Sequence, residues 1–550
     1  MAAVSLCCLS CIYSDPTLGQ DFIATNRQYE IKTDVFDLED IRMEAPEGIS
    51  GYSLYRFIFG AIKDDFFGTT TRSTAFTLVP VDDSLDFGLP GTLEVRQFHF
   101  SGVPDTTSCV YDNQKHILQN VHVYSLSEPM DYTKPAPELS IDRSNRISEG
   151  IPVYNGVDSL SFNFTREFTR GFIDKYLALA EKKAASKDTI TIDDWRKTFP
   201  GIYIETDEPM DEGGRINMFK LPVDVYSSTI YGSYAELKFS AEYKDKGQVD
   251  TSFVFYLGAA DIYNMLGVTS TTVAEYPQIA YNLSTHSSDS RKGAASGEVY
   301  LEGGWGVKPV IKAKALRNKV IADMKAAGTD PSKAVINKAT LFLPFDYTAD
   351  LDDMNWYPDG ISPTCRIVGS DGSVTWASIS DASSSDENPG DVNKMVDGCN
   401  YAPDITYHMQ EIISLKDESK LDNYDIWLLA MADETLVSHS SSSSSDYSSY
   451  LQQLAYASYY NSMYGGYGGY GYGGYSGYGG YGGYGGYGDY YNNYYNYAML
   501  AAMYSSSSSD SQDVVQSMMD LGRYYRCILN GPAASEDKPY FYVVWSVPID

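Results

Sequence analysis

Short blocks of alternating apolar and polar residues recur along this chain, separated by turn residues, and they predict strands. The first blocks cover residues 52–59, 76–79 and 92–100. In the third, Leu93, Val95 and Phe98 are interspersed with polar residues, as on a half-buried strand. Gly60, Gly68, Gly88, Pro90 and Gly102 punctuate these blocks. The period then changes. Phe168, Phe172, Ile173, Tyr176, Leu177 and Ala180 recur at steps of three and four, which predicts an amphipathic helix over 165–184. Thr191, with Asp194 three residues on, reads as a helix N-cap; Trp195 and Phe199 would face inward, and Pro200-Gly201 would stop the helix. Strand patterns return at 202–204, 234–243, 251–257, 335–343, 425–430, 526–529 and 540–546. A further helix is expected at about 314–327, with Leu316, Val320, Ile321 and Met324 on one face.

Runs of strands with isolated helices, rather than alternating strand and helix, predict a mainly β fold. The expectation is two antiparallel β-sandwich-like domains, an N-terminal one over 49–160 and a C-terminal β-rich one over 161–550, with a few inserted helices. Residues 11–48 read as an extended lead-in linker.

One region breaks the pattern. Residues 440–512 are low complexity, and from Tyr464 to Tyr487 they hold nine Tyr, fourteen Gly and one Ser. So many glycines make a packed core entropically costly. The region reads as a hairpin loop expanded into a long insertion within the second domain, which costs little stability as it lengthens.

Charge narrows the partners. The net charge is −32 and no basic stripe is present, so no nucleic-acid partner is expected. The 48 Tyr suit strands and wet contact surfaces. Acid clusters at Asp82-Asp83 with Asp86, at Asp207-Glu208 with Asp211-Glu212, and at Asp350, Asp352, Asp353 and Asp359 could hold Ca²⁺, yet none has EF-hand spacing. Solvated loops are the expected reading, and no metal or cofactor is predicted. The sequence has no Gly-x-Ser-x-Gly elbow, no P-loop and no His-Glu-x-x-His helix, so no enzyme is predicted and no catalytic residue is assigned. Gly303-Gly-Trp-Gly306 could cradle a phosphate, but strand-like flanks make a tight turn or β-bulge the expected reading.

The seven cysteines include Cys7, Cys8 and Cys11 near the start. Residues 1–10 are apolar and small, too short to span a bilayer, and resemble the end of a signal peptide. Leu9-Ser10-Cys11 looks like a bacterial lipobox, which makes Cys11 the candidate lipidation site. Cys365 and Cys399 bracket a loop rich in Ser, Asp and Gly and form the candidate disulfide, with free buried thiols as the alternative.

Five motifs occur in order along the chain: Asp15-Pro-Thr-Leu-Gly19 after Cys11, Phe59-Gly-Ala-Ile-Lys-Asp-Asp-Phe-Phe-Gly68, Phe199-Pro-Gly-Ile-Tyr203, Val299-Tyr-Leu-Glu-Gly-Gly-Trp-Gly306 and Ile336-Asn-Lys-Ala-Thr-Leu341. Together they resemble a Bacteroidota outer-membrane lipoprotein family, domain of unknown function 4270. The resemblance covers about 11–430 and the closing strands. It implies a lipid-anchored outer-membrane protein, and it carries no reaction or catalytic residues. The expected partners are outer-membrane lipid through Cys11 and an outer-membrane β-barrel. The expected function is a cell-surface binding or scaffold subunit, an assembly or transport accessory. The rival is a glycan-binding module or carbohydrate-active enzyme.

Overall fold

In a computed structural model, residues 29–549 are described apart from 259–277, 288–296, 347–352, 385–389, 437–513 and a few isolated positions. The protein is mainly β, built of antiparallel sheets with a few helices between them. Cys11 and the 440–512 insertion lie outside the described residues.

The first sheet draws its strands from Tyr52 to His286, across the expected boundary at 160. Six of them pair in a closed circuit. Gly68–Pro80 pairs with Arg56–Asp64, which pairs with Gly213–Lys220, then Glu94–Cys109, Tyr234–Tyr243 and Gly247–Gly258. The last returns to Gly68–Pro80. Closure removes exposed sheet edges along this circuit. Its interior is aromatic: Phe57 stacks on Phe219 at 4.8 Å and meets Phe76 and Phe100 edge-on. The expected alternation at Leu93, Val95 and Phe98 does not hold. The register slips opposite Lys238 and Phe239, a β-bulge that leaves Val95 exposed and buries Phe98 and Phe100.

Helix Arg166–Ser186 starts where Thr165 accepts the Phe168 N–H. Helix Ile192–Thr198 has the predicted capping box of Thr191 and Asp194. Hydrogen bonds tie the first helix to the loop that follows strand Gly68–Pro80 and the second to that strand itself. The Leu85 N–H donates to the Tyr176 hydroxyl at 2.9 Å, and the Trp195 indole donates to the Leu78 carbonyl at 2.9 Å.

The second half packs a five-stranded sheet against a six-stranded one over a single core. Phe541, Val543 and Trp545 face Ile361, Ile426 and Leu428 across it, and helices Ala313–Ala326 and Thr406–Ser414 add Leu316, Val320, Met409 and Ile412. The lead-in is no linker from Tyr29 onward. Strand Tyr29–Asp37 pairs along its whole length with the closing strand Tyr540–Pro548, and Ile41–Glu44 pairs with Lys308–Ile311. The local reason is again period two: Lys32, Asp34 and Phe36 face inward, while Ile31, Thr33 and Val35 face solvent.

Candidate functional site

Three regions could form a site: a buried ionic cluster, a groove, and an open sheet face. The cluster forms where the two halves meet. Strand register creates it. Arg72 lies directly opposite Ser284, and Thr70 opposite His286, all on one face. Glu302 and Lys308 flank the Gly303-Gly-Trp-Gly306 turn, which closes with a Gly306 N–H to Gly303 carbonyl bond. Arg72 and Glu302 pack closely against its glycines. Gly304 has φ +56°, and a Cβ there would stand 2.5 Å from Arg72 Nη2. The expected turn is therefore present, and side chains of this chain fill the space a phosphate would need.

Within the cluster, Ser284 Oγ lies 3.0 Å from His286 Nε2, and His286 Nδ1 lies 3.7 Å from Glu302. That is the outline of a Ser-His-Glu triad. A nucleophile needs a free oxygen and room for an acyl group beside it. Ser284 has neither: its oxygen accepts from Arg72 Nη1 and from the Trp305 N–H, and a Cβ on Gly304 would sit 2.6 Å from it. Burial pushes the Lys308 ammonium well below its ordinary range, and Glu302 opposes that shift. Desolvation lowers Arg72 to about 10. The cluster holds structure together. Asp520 continues it, accepting from Gly522 N–H, Arg523 and the Tyr525 hydroxyl.

The groove runs between helix Arg166–Ser186 and the first sheet. It has about 280 Å³, a floor of Phe168, Phe172, Phe199 and Ile202, and a rim of Glu167 and Lys175. Ser125, Asn145, Glu167, Lys175 and Thr198 supply its polar lining around that apolar floor, the mixture small-molecule sites have.

The sequence-predicted chemistry is distributed differently. Cys365 and Cys399 are free thiols, which corrects the disulfide reading. Cys365 sits within a strand of the six-stranded sheet. Cys399 precedes a strand of the five-stranded sheet and donates its thiol to the Met395 carbonyl at 3.2 Å. The two therefore belong to sheets on opposite sides of the core. Burial pushes both thiols up. Asp207 accepts from Asn120 at 2.7 Å and contacts His122 at 2.7 Å; the Asn120 bond holds its carboxyl below the usual range. Asp350 and Asp352 lie outside the described residues. Among the described residues no group of three acid, His or Cys side chains is placed to hold a metal.

The open face belongs to the five-stranded sheet. Register puts Tyr29, Ile31, Thr33 and Val35 beside Tyr542 and Val544 of the closing strand, and beside Val335 and Phe342 of the next. Ile31 and Val35 are 66% and 64% exposed. Phe342 stacks on Tyr540 at 4.7 Å, with Tyr542 alongside. Nothing in the sequence reading anticipates this face, because its first strand lies in the stretch expected to be linker. The alternation of Tyr29, Ile31 and Val35 is the signal that could have revealed it.

Comparison with protein families, curated proteins and solved structures finds no match for this chain.

Proposed function

We propose that this chain is a lipoprotein anchored in outer-membrane lipid through Cys11, and that it serves as a non-enzymatic binding or scaffold subunit for an outer-membrane β-barrel partner. The open face carries this reading. Tyr29, Ile31, Val35 and Val335 expose large apolar side chains on one sheet, and contiguous apolar surface of this kind marks interaction sites. The lipobox-like Leu9-Ser10-Cys11 and the five ordered motifs support the location. The test is recovery of partners from detergent-solubilised membranes with the native lipoprotein and with Val35→Asp. The same β-barrel should appear with the first and be depleted with the second. Its absence from both, or equal recovery with both, would overturn the reading.

The Phe342–Tyr540 stack favours one second reading, a glycan-binding face, because flat aromatic pairs suit sugar rings. Calorimetric titration with cell-surface polysaccharide, repeated on Tyr540→Ala, separates the two.

A further inference from the structure

The strand Tyr29–Asp37 is the outer edge of its sheet, and among the described residues only Tyr540–Pro548 pairs with it. The Leu38 N–H donates to the Pro539 carbonyl at 2.9 Å. Backbone groups alternate sides along an antiparallel strand, so those of residues 30, 32, 34 and 36 also point into the sheet. Those of Ile31, Thr33 and Val35 point outward, and no strand among the described residues receives them. Lys319 donates to the Asp37 carbonyl at 2.8 Å, which ends the open stretch there. Long edges of this kind invite strand addition.

The side chains specify what could pair. Read outward from Thr33, the sequence is self-complementary in an antiparallel sense. A twofold axis at Thr33 sets Thr33 opposite Thr33, Ile31 opposite Val35, and Lys32 opposite Asp34, each unlike pair occurring twice. Threonine pairs, β-branched pairs and opposite charges are the favourable cross-strand combinations. The hydrogen bonding agrees. Thr33 and the Ile31/Val35 pairs fall at positions that exchange backbone bonds. The Lys32/Asp34 pairs fall at the closer, non-bonded positions, where side chains meet best. A further acid stands at this rim. Asp323 shares a hydrogen bond with Asp34, and burial together with that bond pushes its carboxyl up. A lysine arriving from across the edge would stand beside both.

We propose that the Tyr29–Asp37 edge is a twofold interface on which a second copy of this chain pairs, antiparallel and centred on Thr33. The two five-stranded sheets then run as one, and their open faces become a single surface. This goes beyond the binding role above and does not depend on it: the backbone edge makes the dimer, whereas the side-chain face would meet a partner.

The test is sedimentation equilibrium of the full-length protein in detergent across a concentration series, using K32D, D34K and their mixture. K32D puts like acids opposite each other and D34K like bases, so each should weaken self-association about tenfold or more. An equimolar mixture should recover the dimer, because the two acids of one variant then stand opposite the two lysines of the other. Thermal melts check that both variants are folded, since Asp34 also accepts from the Trp545 indole at 2.9 Å. A wild type that stays monomeric overturns the proposal. So does a dimer that survives in both variants, which would place association on another surface, or a mixture that fails to restore it.

Discussion

Ser284 shows how a constellation with catalytic outline can be structural. Its oxygen already accepts from Arg72 and the Trp305 N–H, so its hydroxyl proton is directed at His286 Nε2, and no lone pair is left to attack. Ser284→Ala should therefore destabilise by about 1–3 kcal/mol, because Arg72 Nη1 keeps only the long 3.3 Å bond to the Thr71 carbonyl. Chemical denaturation measures this. A fluorophosphonate probe should leave the native protein unlabelled, and covalent labelling at Ser284 would refute the structural assignment. None of this could be read in the sequence. Arg72 and Ser284 are far apart along the chain and meet only through register, whereas the Gly303-Gly-Trp-Gly306 turn was visible because glycine itself is the signal.

Elements were legible where their ends are local. Helices Arg166–Ser186 and Ile192–Thr198 carry their own caps, Thr165 and Thr191, and both occur close to where the pattern predicts them. Helix Thr406–Ser414 is not foreseen. Its N-cap Ile405 makes no side-chain bond; the neighbouring Asp404 accepts the Thr406 N–H at 2.9 Å, and the distant Asp381 accepts the Tyr407 and His408 N–H groups at 2.7 and 3.0 Å. Helix Ala313–Ala326 is foreseen from its apolar face, although it is capped from afar, by Asp425 accepting the Ala313 N–H at 3.0 Å and Lys312 at 2.7 Å. Asp425→Ala should cost about 1–3 kcal/mol in a denaturation curve, since it frees a buried N–H and a lysine together. The Thr406–Ser414 helix also sets an acid limit. Burial lowers His408 to about 4, from 6.5 when unfolded. The unfolded chain thus binds more protons between those values, so this contribution is complete above pH 6.5 and is lost as pH falls toward 4. At pH 5 the loss is about 2 kcal/mol. Asp381 works oppositely: burial raises it to about 6, so it favours folding more as pH falls from 6 toward 3.8. In melts at about pH 7 and about pH 5, His408→Phe should therefore lose less stability than wild type. Equal losses would mean that His408 is not held neutral.

For the whole molecule, the sequence revealed a β-rich chain, but not that Tyr29–Asp37 belongs with the closing strand. Asp34 and Trp545 are 511 positions apart and share no local signal. Nor did it show the junction. There Asp64, 1% exposed at its side chain, meets Arg526 at 3.0 Å across the two halves, while its other oxygen accepts the Phe66 and Phe67 N–H groups. The Arg526 guanidinium also lies over Trp356 and Phe66, at 5.0 and 5.7 Å. Arg526→Met would keep much of the apolar packing but leave the Asp64 carboxylate buried without its cation. Losing one member of a buried pair costs about 3 kcal/mol or more. Asp64→Asn removes the charge and keeps an amide oxygen for the two N–H groups. Adding it to Arg526→Met should return part of the loss, so the double variant should melt above the single one. If the two losses simply add, the ion pair is not what joins the halves. The join would then rest on the apolar contacts of Phe67 with Tyr300 and Val307, and of Tyr524 with Ile58 and Met218.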